Sequence, residues 1–156
     1  MKTIKPEKIT NENFSPYGRY VDLRTLPNSI TEKPPVLNSL KVGITAVKGG
    51  DFTSKYMERH FLGEEILLCG SDKLVLTVAN SDPDDCPKSE DVRSFIMEPG
   101  DLVILKKGIW HDANHGLNKD TEYYFIIEDY TSRLEEEKKR ELEWHEIRPE
   151  PVKVVI

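Results

Sequence analysis

The sequence lacks the features on which several large classes of protein depend. It has only two cysteines, Cys69 and Cys86, and neither lies in a CxxC pair, so the sequence supports neither a disulfide framework nor a thiolate zinc site. No apolar run approaches the roughly 20 residues that span a bilayer. The opening MKTIKPEKIT also lacks the apolar region of a secretory signal. We therefore expect a cytoplasmic protein that does not interact with membranes.

Concentrated positive charge is missing as well. The formal net charge is -6, and Lys and Arg do not cluster with aromatic residues, which argues against a nucleic-acid partner. Nucleophile elbows, glycine-rich phosphate loops and the H-E-x-x-H pattern are also absent. The chemistry of this chain must therefore come from some other constellation.

Short apolar runs separated by turn signals make up most of the chain. The predicted strands are Arg19–Leu23, Leu40–Val47, Thr53–His60, Glu65–Cys69, Lys73–Val78, Ser94–Met97, Asp101–Leu105 and Glu122–Glu128. The first ten residues read as an edge strand or arm, and Thr10 is a candidate cap for one helical turn. Many short strands without intervening helices predict a sandwich or a barrel.

The tail differs from the rest of the chain. Ser132 to Glu143 is the one strong helix candidate, with Glu and Lys residues at i,i+3 and i,i+4 spacing. Beyond it, Pro151–Ile156 predicts a last strand that closes a sheet, within the chain or across a dimer. We expect a single domain over residues 1–156, with a core of about 12–129 and a tail of 130–156.

Two histidines occur in matching contexts. The segment PGDLVILKKGIWHDANH reads as turn, strand, glycine-bent turn and strand, and it places His111 at the start of the second strand. About forty residues upstream, ERHFLGEE places His60 among carboxylates ahead of an apolar run. In a small β-rich chain, two such strands can line one pocket.

A mixed nitrogen and oxygen ligand set is the resulting interpretation. Strand alternation puts Glu58 and His60 on one face and Arg59 on the other. With His111 and either Glu64 or Glu65, they form a set suited to Ni, Mn, Fe or Zn. The alternative is that Glu58 and Arg59 are surface charges and His60 is an ordinary strand histidine.

Other residues near the histidines have weaker interpretations. Trp110 can wall a pocket or fill the core, and core filling is the more common role of such a ring. Lys106 and Lys107 mark a solvated turn, although one of them can steer an anionic substrate. We expect His115 to lie in a loop and His145 to be solvated.

Two patterns resemble the signatures of the cupins. Gly100-x5-Lys106-x-Gly108-x2-His111 is similar to the second cupin signature, with lysine where proline is usual. The first signature is matched in part, with Glu58 and His60 in the two histidine positions and Glu64 or Glu65 as the glutamate.

The ureidoglycolate lyase family of cupins is a closer resemblance. Its members share a Phe-x-Pro-x-Gly opening, a Glu-Arg-His-x-x-Gly segment and a Gly-x-Trp-His segment. This chain has all three in order, covering roughly residues 12–129: Phe14-Ser15-Pro16-Tyr17-Gly18, Glu58-Arg59-His60-Phe61-Leu62-Gly63 and Gly108-Ile109-Trp110-His111.

The resemblance implies a fold and a reaction. The fold is mainly β, a single small cupin-type antiparallel β-barrel (double-stranded β-helix), here with a C-terminal helix. The reaction is carbon–nitrogen cleavage of (S)-ureidoglycolate, a small anionic substrate, into glyoxylate and urea by a homodimer with a divalent metal. The implied residues are His60, His111 and Glu58 for catalysis, Arg59, Lys106 and Trp110 for substrate, and His60, His111, Glu58 and Glu65 for metal.

Departures from the family pattern leave two alternatives open. Family members usually have Pro after the first histidine and Ser-Gln after the glycine, where this chain has Phe61, Glu64 and Glu65. After Trp-His they usually have a second His and a Pro, where this chain has Asp112 and Ala113. The alternatives are a non-catalytic cupin that binds a small polar ligand, and another metal-dependent cupin enzyme such as an isomerase or dioxygenase.

Overall fold

The described part of the chain is mainly β. The computed structural model describes residues 1–22, 24, 40–80, 86–128 and 144–156. These contain one helical turn, α1 (Asn11–Phe14). The strands are β1 (Lys2–Ile4), β2 (Glu7–Lys8), β3 (Gly18–Asp22), β4 (Leu40–Val47), β5 (Phe52–Ser54), β6 (Tyr56–Met57), β7 (Glu65–Cys69), β8 (Leu74–Ala79), β9 (Arg93–Met97), β10 (Asp101–Leu105), β11 (Trp110–His111), β12 (His115–Gly116), β13 (Thr121–Glu128), β14 (His145–Glu146) and β15 (Val152–Val154).

The helical turn α1 forms where the sequence predicts it. The Thr10 hydroxyl accepts a hydrogen bond from the Asn13 backbone N–H at 3.1 Å, and the Asn13 side-chain oxygen accepts one from the Thr10 N–H at 2.8 Å. This reciprocal pair satisfies donors that a helix start leaves open. The turn buries Phe14, whose ring meets Phe95 edge-on at 5.4 Å and ties the N-terminal segment to the core.

Two sheets enclose the main core. One has the strand order β3-β10-β7-β13-β4, and the other has the order β11-β8-β9-β2 with β12 also paired to β8. One buried cluster takes Leu67 and Val103 from the first sheet and Leu76 and Phe95 from the second. The two sheets therefore pack face to face, as in a sandwich.

A second, smaller core lies on the other side of β8, which is buried along its whole length. It contains Ala79 from β8, Trp110 from β11 and Val152 from β15. Strand β15 lies between β1 and β5 in a three-stranded sheet. Both faces of β8 are therefore covered, which explains its nearly continuous apolar sequence.

The predicted closed barrel is not formed by the described residues. A barrel needs a continuous hydrogen-bonded ladder around its circumference. Here the two large sheets share no strand, and the isolated bridges among the described residues (Gly49 with Gly116, Glu58 with His111, Lys88 with Arg148) are single contacts. The helix predicted over Ser132 to Glu143 lies outside the described residues.

The strand predicted over Thr53–His60 is interrupted. Strand β5 ends at Ser54, β6 covers only Tyr56–Met57, and β6 pairs with β14 rather than continuing the sheet of β5. Side chains alternate only within an unbroken strand, so alternation does not set the directions of Glu58 and His60 here. The facing of Glu58 is set instead by its bridge to His111.

The predicted terminal strand is present as β15. It pairs in parallel with β1 and antiparallel with β5, so both of its edges are covered within the chain. An open edge at this strand therefore gives no reason for dimerisation, which stays a prediction from the family resemblance.

Both cysteines are free, with Cys69 buried and Cys86 half-buried. In the described ranges, no helix has the length and apolar character needed to cross a membrane.

We expect Phe14→Ala to lower the free energy of unfolding by about 3–5 kcal/mol, because the fully buried ring would leave a cavity. Urea denaturation measures the change. The matched control is Phe61→Ala, whose 37% exposed ring contacts the Arg59 guanidinium and should cost about 1 kcal/mol or less. Equal losses in the two variants would contradict this assignment of core and surface.

Candidate functional site

His111 projects into the space between the two large sheets. It pairs directly with Val78, and Val78 belongs to the main core. Directly opposed residues of an antiparallel pair project to the same side, so the imidazole faces the interior, where it is 4% exposed. The neighbouring Trp110 pairs with Ala79 and projects to the opposite side, into the second core.

Glu58 is held beside His111 by the backbone. The Glu58 N–H donates to the His111 carbonyl at 2.9 Å, and the His111 N–H donates to the Glu58 carbonyl at 2.9 Å. This bridge brings the Glu58 Oε1 atom to 3.8 Å from the His111 Nε2 atom. The carboxylate and the imidazole therefore share one side of the bridge.

His60 joins the same cluster from the loop that follows. Its carbonyl accepts a 2.7 Å hydrogen bond from the N–H of Gly108, which lies in the turn before β11 and has a φ of 80°. Positive φ is easily adopted only by glycine, so this residue is needed for the turn. The rings of His60 and His111 lie 5.1 Å apart between centroids, which brings together the two histidines that the sequence predicts to share a pocket.

Glu65, rather than Glu64, faces the site. It opens β7, whose buried residues alternate as Glu65, Leu67 and Cys69. Its Oε2 atom lies 2.9 Å from the His111 Nε2 atom and 3.5 Å from the His60 Nε2 atom. Glu64 is exposed and lies 3.9 Å from Arg19 on the surface.

Burial and the facing charges shift the pKa values of this cluster in opposite directions. Burial alone would raise the pKa of Glu65, but the His111 and His60 imidazoles outweigh it and hold that pKa below its ordinary value. Burial alone would lower the pKa of His111, but Glu65 and then Glu58 outweigh it and raise that pKa above its ordinary value. The cluster therefore favours a buried carboxylate facing a protonated imidazole.

The donor set fits a divalent metal ion. Two donors each about 2.1 Å from one tetrahedral ion lie about 3.4 Å apart, and those of an octahedral ion lie about 3.0 Å apart. Glu65 Oε2 meets the two Nε2 atoms at 2.9 and 3.5 Å. Within the described residues, Glu65 Oε2 and His111 Nε2 are buried without a well-aligned hydrogen-bond partner. Glu58, His60 and His111 also offer ligand atoms that all lie within 4.8 Å of one another.

The orientation of the His111 ring suits a metal ligand. Its Nδ1 atom lies 3.1 Å from the Ile109 carbonyl oxygen, a contact in which Nδ1–H donates. In the neutral ring, this contact leaves the lone pair on Nε2, which faces the rest of the cluster.

The three predicted substrate residues are not brought into this cluster. Lys106 is exposed, and its Nζ atom donates to the Ser15 and Pro16 carbonyls at 2.6 and 3.2 Å. The Arg59 guanidinium lies 4.1 Å from the Trp110 ring centroid and 4.3 Å from that of Phe61. Trp110 fills the second core.

Polar residues just after His111 are buried, which the sequence did not lead us to predict. Asn114 is 1% exposed, and neither polar atom of its side chain has a partner among the described residues. Burial raises the pKa of Asp112 to about 6, against the opposing effect of the nearby Ser54 hydroxyl. His115 stacks on Phe52 at 3.6 Å between centroids. The available signal is the polar run Asp112-Ala113-Asn114, at which the sequence predicts a loop.

A family profile matches most of the chain. The profile described as ureidoglycolate lyase covers residues 26–154. The chain belongs to the ureidoglycolate lyase family. A protein of Agrobacterium fabrum named "Putative ureidoglycolate lyase" is 24% identical over 121 residues, which are 71% of this chain and 74% of that protein.

Solved structures with a similar chain trace share little sequence with this protein. RmlC from Streptococcus suis has a TM-score of 0.46 at 10% identity and covers 64% of this chain and 47% of its own. Bacillus subtilis oxalate decarboxylase, which has Mn(II) centres, has a TM-score of 0.43 at 19% identity and covers 79% of this chain and 28% of its own. The chain therefore spans less than half the length of either protein.

We expect the purified protein to bind a divalent metal and His111→Ala to lower its metal affinity by about tenfold or more, because a donor is lost. Elemental analysis after loading and gel filtration measures the metal content. Glu64→Gln is the matched control, since this exposed carboxylate lies outside the cluster. Metal content unchanged in His111→Ala would remove that residue from the ligand set.

We expect the stability of the metal-free protein to depend on pH through Glu65 and His111. The raised pKa of His111 contributes stability that is complete below pH 6.5 and is lost as pH rises through the folded-state pKa. The lowered pKa of Glu65 contributes stability that is complete above pH 4.5 and is lost as pH falls through the folded-state pKa. Both contributions are complete between pH 4.5 and 6.5.

Urea unfolding in the presence of a chelator tests this dependence. The wild type should exceed Glu65→Gln in free energy of unfolding by the largest margin between pH 4.5 and 6.5, and the margin should shrink at alkaline pH. A margin that stays constant into the alkaline range would show that the two groups do not form this pair.

Proposed function

We propose that this protein is a carbon–nitrogen lyase that cleaves (S)-ureidoglycolate into glyoxylate and urea. The observation that carries the proposal is the convergence of two imidazoles and two carboxylates at one partly open interior site in a member of this family. Buried ionisable groups with opposite pKa shifts are typical of functional sites. The proposed substrate is a small anionic molecule, in line with the family to which the chain belongs.

A divalent ion of the Ni, Mn, Zn or Fe group is part of the proposal. His60, His111 and Glu65 would hold it, because Glu65 Oε2 lies 3.5 and 2.9 Å from the two Nε2 atoms, near the separation of neighbouring ligands on one ion. When bound, the ion supplies Lewis-acid stabilisation of substrate oxygens and a positive charge for the substrate carboxylate.

The cleavage needs one proton to move in each direction. The carbinol carbon of ureidoglycolate carries both the hydroxyl group and the departing ureido nitrogen. As a base removes the hydroxyl proton, the carbonyl of glyoxylate forms and the carbon–nitrogen bond breaks, with its electron pair going to nitrogen. A proton delivered to that nitrogen completes urea. The predicted catalytic residues are Glu58, His60 and His111. The Glu58 carboxylate would make such transfers, and the two imidazoles would act on the reaction through the ion that they hold.

We expect the metal-loaded protein to release glyoxylate from (S)-ureidoglycolate, and His60→Ala and His111→Ala to lower kcat by about 10²–10⁴-fold. A coupled glyoxylate assay measures this, with Glu64→Gln as a control that should keep full activity. No glyoxylate above background from the loaded wild type would overturn the lyase proposal and favour a ligand-binding function, to be followed by a screen of small polar ligands.

A further inference from the structure

The two carboxylates of the cluster occupy different positions. Glu65 is 8% exposed and opens a central strand of its sheet, between β10 and β13. The Glu58 side chain is 26% exposed and lies beyond the end of β6. A group that only holds an ion can be fully enclosed, whereas a group that exchanges a proton with a substrate must be reachable.

The distances to the histidine nitrogens also distinguish Glu65 from Glu58. Glu65 Oε2 lies 2.9 and 3.5 Å from the two Nε2 atoms, which is the spacing of ligands around one ion. Glu58 Oε1 lies 3.8 Å from His111 Nε2, wider than the roughly 3.4 Å between tetrahedral ligands with bonds near 2.1 Å. Glu58 is thus farther from His111 than Glu65 is, although its ligand atom lies within 4.8 Å of those of both histidines.

Backbone pairing fixes Glu58 relative to that set. Its N–H and carbonyl both bond to the His111 backbone at 2.9 Å, which fixes its Cα and Cβ relative to those of His111 and keeps the carboxylate within reach of the imidazole. A proton acceptor held in register with a ligand residue stays at a defined distance from any substrate bound at the ion.

We propose that Glu65 is the metal ligand and Glu58 is the catalytic residue that carries the proton, an assignment that rests on the proposed lyase function. The Glu58 carboxylate accepts the carbinol proton, the carbon–oxygen bond becomes a carbonyl, and the carbon–nitrogen electron pair goes to nitrogen. Because oxygen and nitrogen are attached to the same carbon, Glu58 returns the same proton to nitrogen. Glyoxylate and urea leave, and Glu58 is ionised again.

Metal affinity and turnover, measured on the same variants, test this division. Glu65→Gln should lower affinity for Mn²⁺ or Zn²⁺ by about tenfold or more in a chelator-buffered titration. Glu58→Gln should keep its metal affinity within about threefold of the wild type and lose about 10²–10⁴-fold in kcat at saturating metal. Glu64→Gln should match the wild type in both measurements.

A rescue experiment adds a readout that a structural role would not affect. In metal-saturated Glu58→Ala, added formate should restore part of kcat, because a small carboxylate can occupy the vacated space and accept the proton. Circular dichroism and the unfolding midpoint establish that each variant is folded.

Each outcome is decisive for one part of the assignment. Loss of metal from Glu58→Gln but not from Glu65→Gln would overturn it, as would full turnover in Glu58→Gln. If the wild type itself releases no glyoxylate, the proposed function fails and the role of Glu58 as base fails with it. The titrations would still decide which carboxylate is the ligand.

Discussion

The two backbone hydrogen bonds between Glu58 and His111 are the constraint on which the geometry of the site depends. Glu58 directly follows β6 and His111 ends β11, and both strands have only two residues. Neither residue belongs to a long hydrogen-bonded ladder that would by itself fix the direction of its side chain. The pairing with Val78 on β8 sets the direction of His111, and the bridge gives Glu58 the same direction, because opposed residues of an antiparallel pair project to the same side. With Val78 opposite His111 on β8, that side is the interior between the sheets.

Stability alone does not account for the charges that meet there. The cluster adjoins an interior otherwise filled by residues such as Leu67 and Val78. Replacing a buried ion pair by apolar residues of similar volume is often neutral or stabilising by about 1–4 kcal/mol. Removing one partner is costly, because the other charge is left unpaired. A pair such as Glu65 and His111 is therefore better explained by what it binds than by the stability it adds.

The sequence allowed most of the strands, the Thr10 cap and the meeting of His60 with His111 to be predicted, since each depends on local patterns. Other features depend on tertiary pairing. Whether Glu64 or Glu65 faces inward is decided by one residue of register in β7, because side chains alternate. The break after Ser54 and the opposite facing of Trp110 depend on strands distant in the sequence. Closure of the barrel could not be judged from strand count, because it depends on ladder length at the corners.

The charge of the cluster bears on how an anionic substrate is bound. With neutral imidazoles, Glu58 and Glu65 give the site two negative charges, and a proton on His111 cancels only one of them. Among the described residues, Lys106 contacts the Ser15 and Pro16 carbonyls, and the Arg59 guanidinium lies against the Trp110 ring. The donor set by itself therefore attracts cations. A divalent ion held by these residues would cancel both carboxylate charges and would supply the positive charge that an anionic substrate needs at this site.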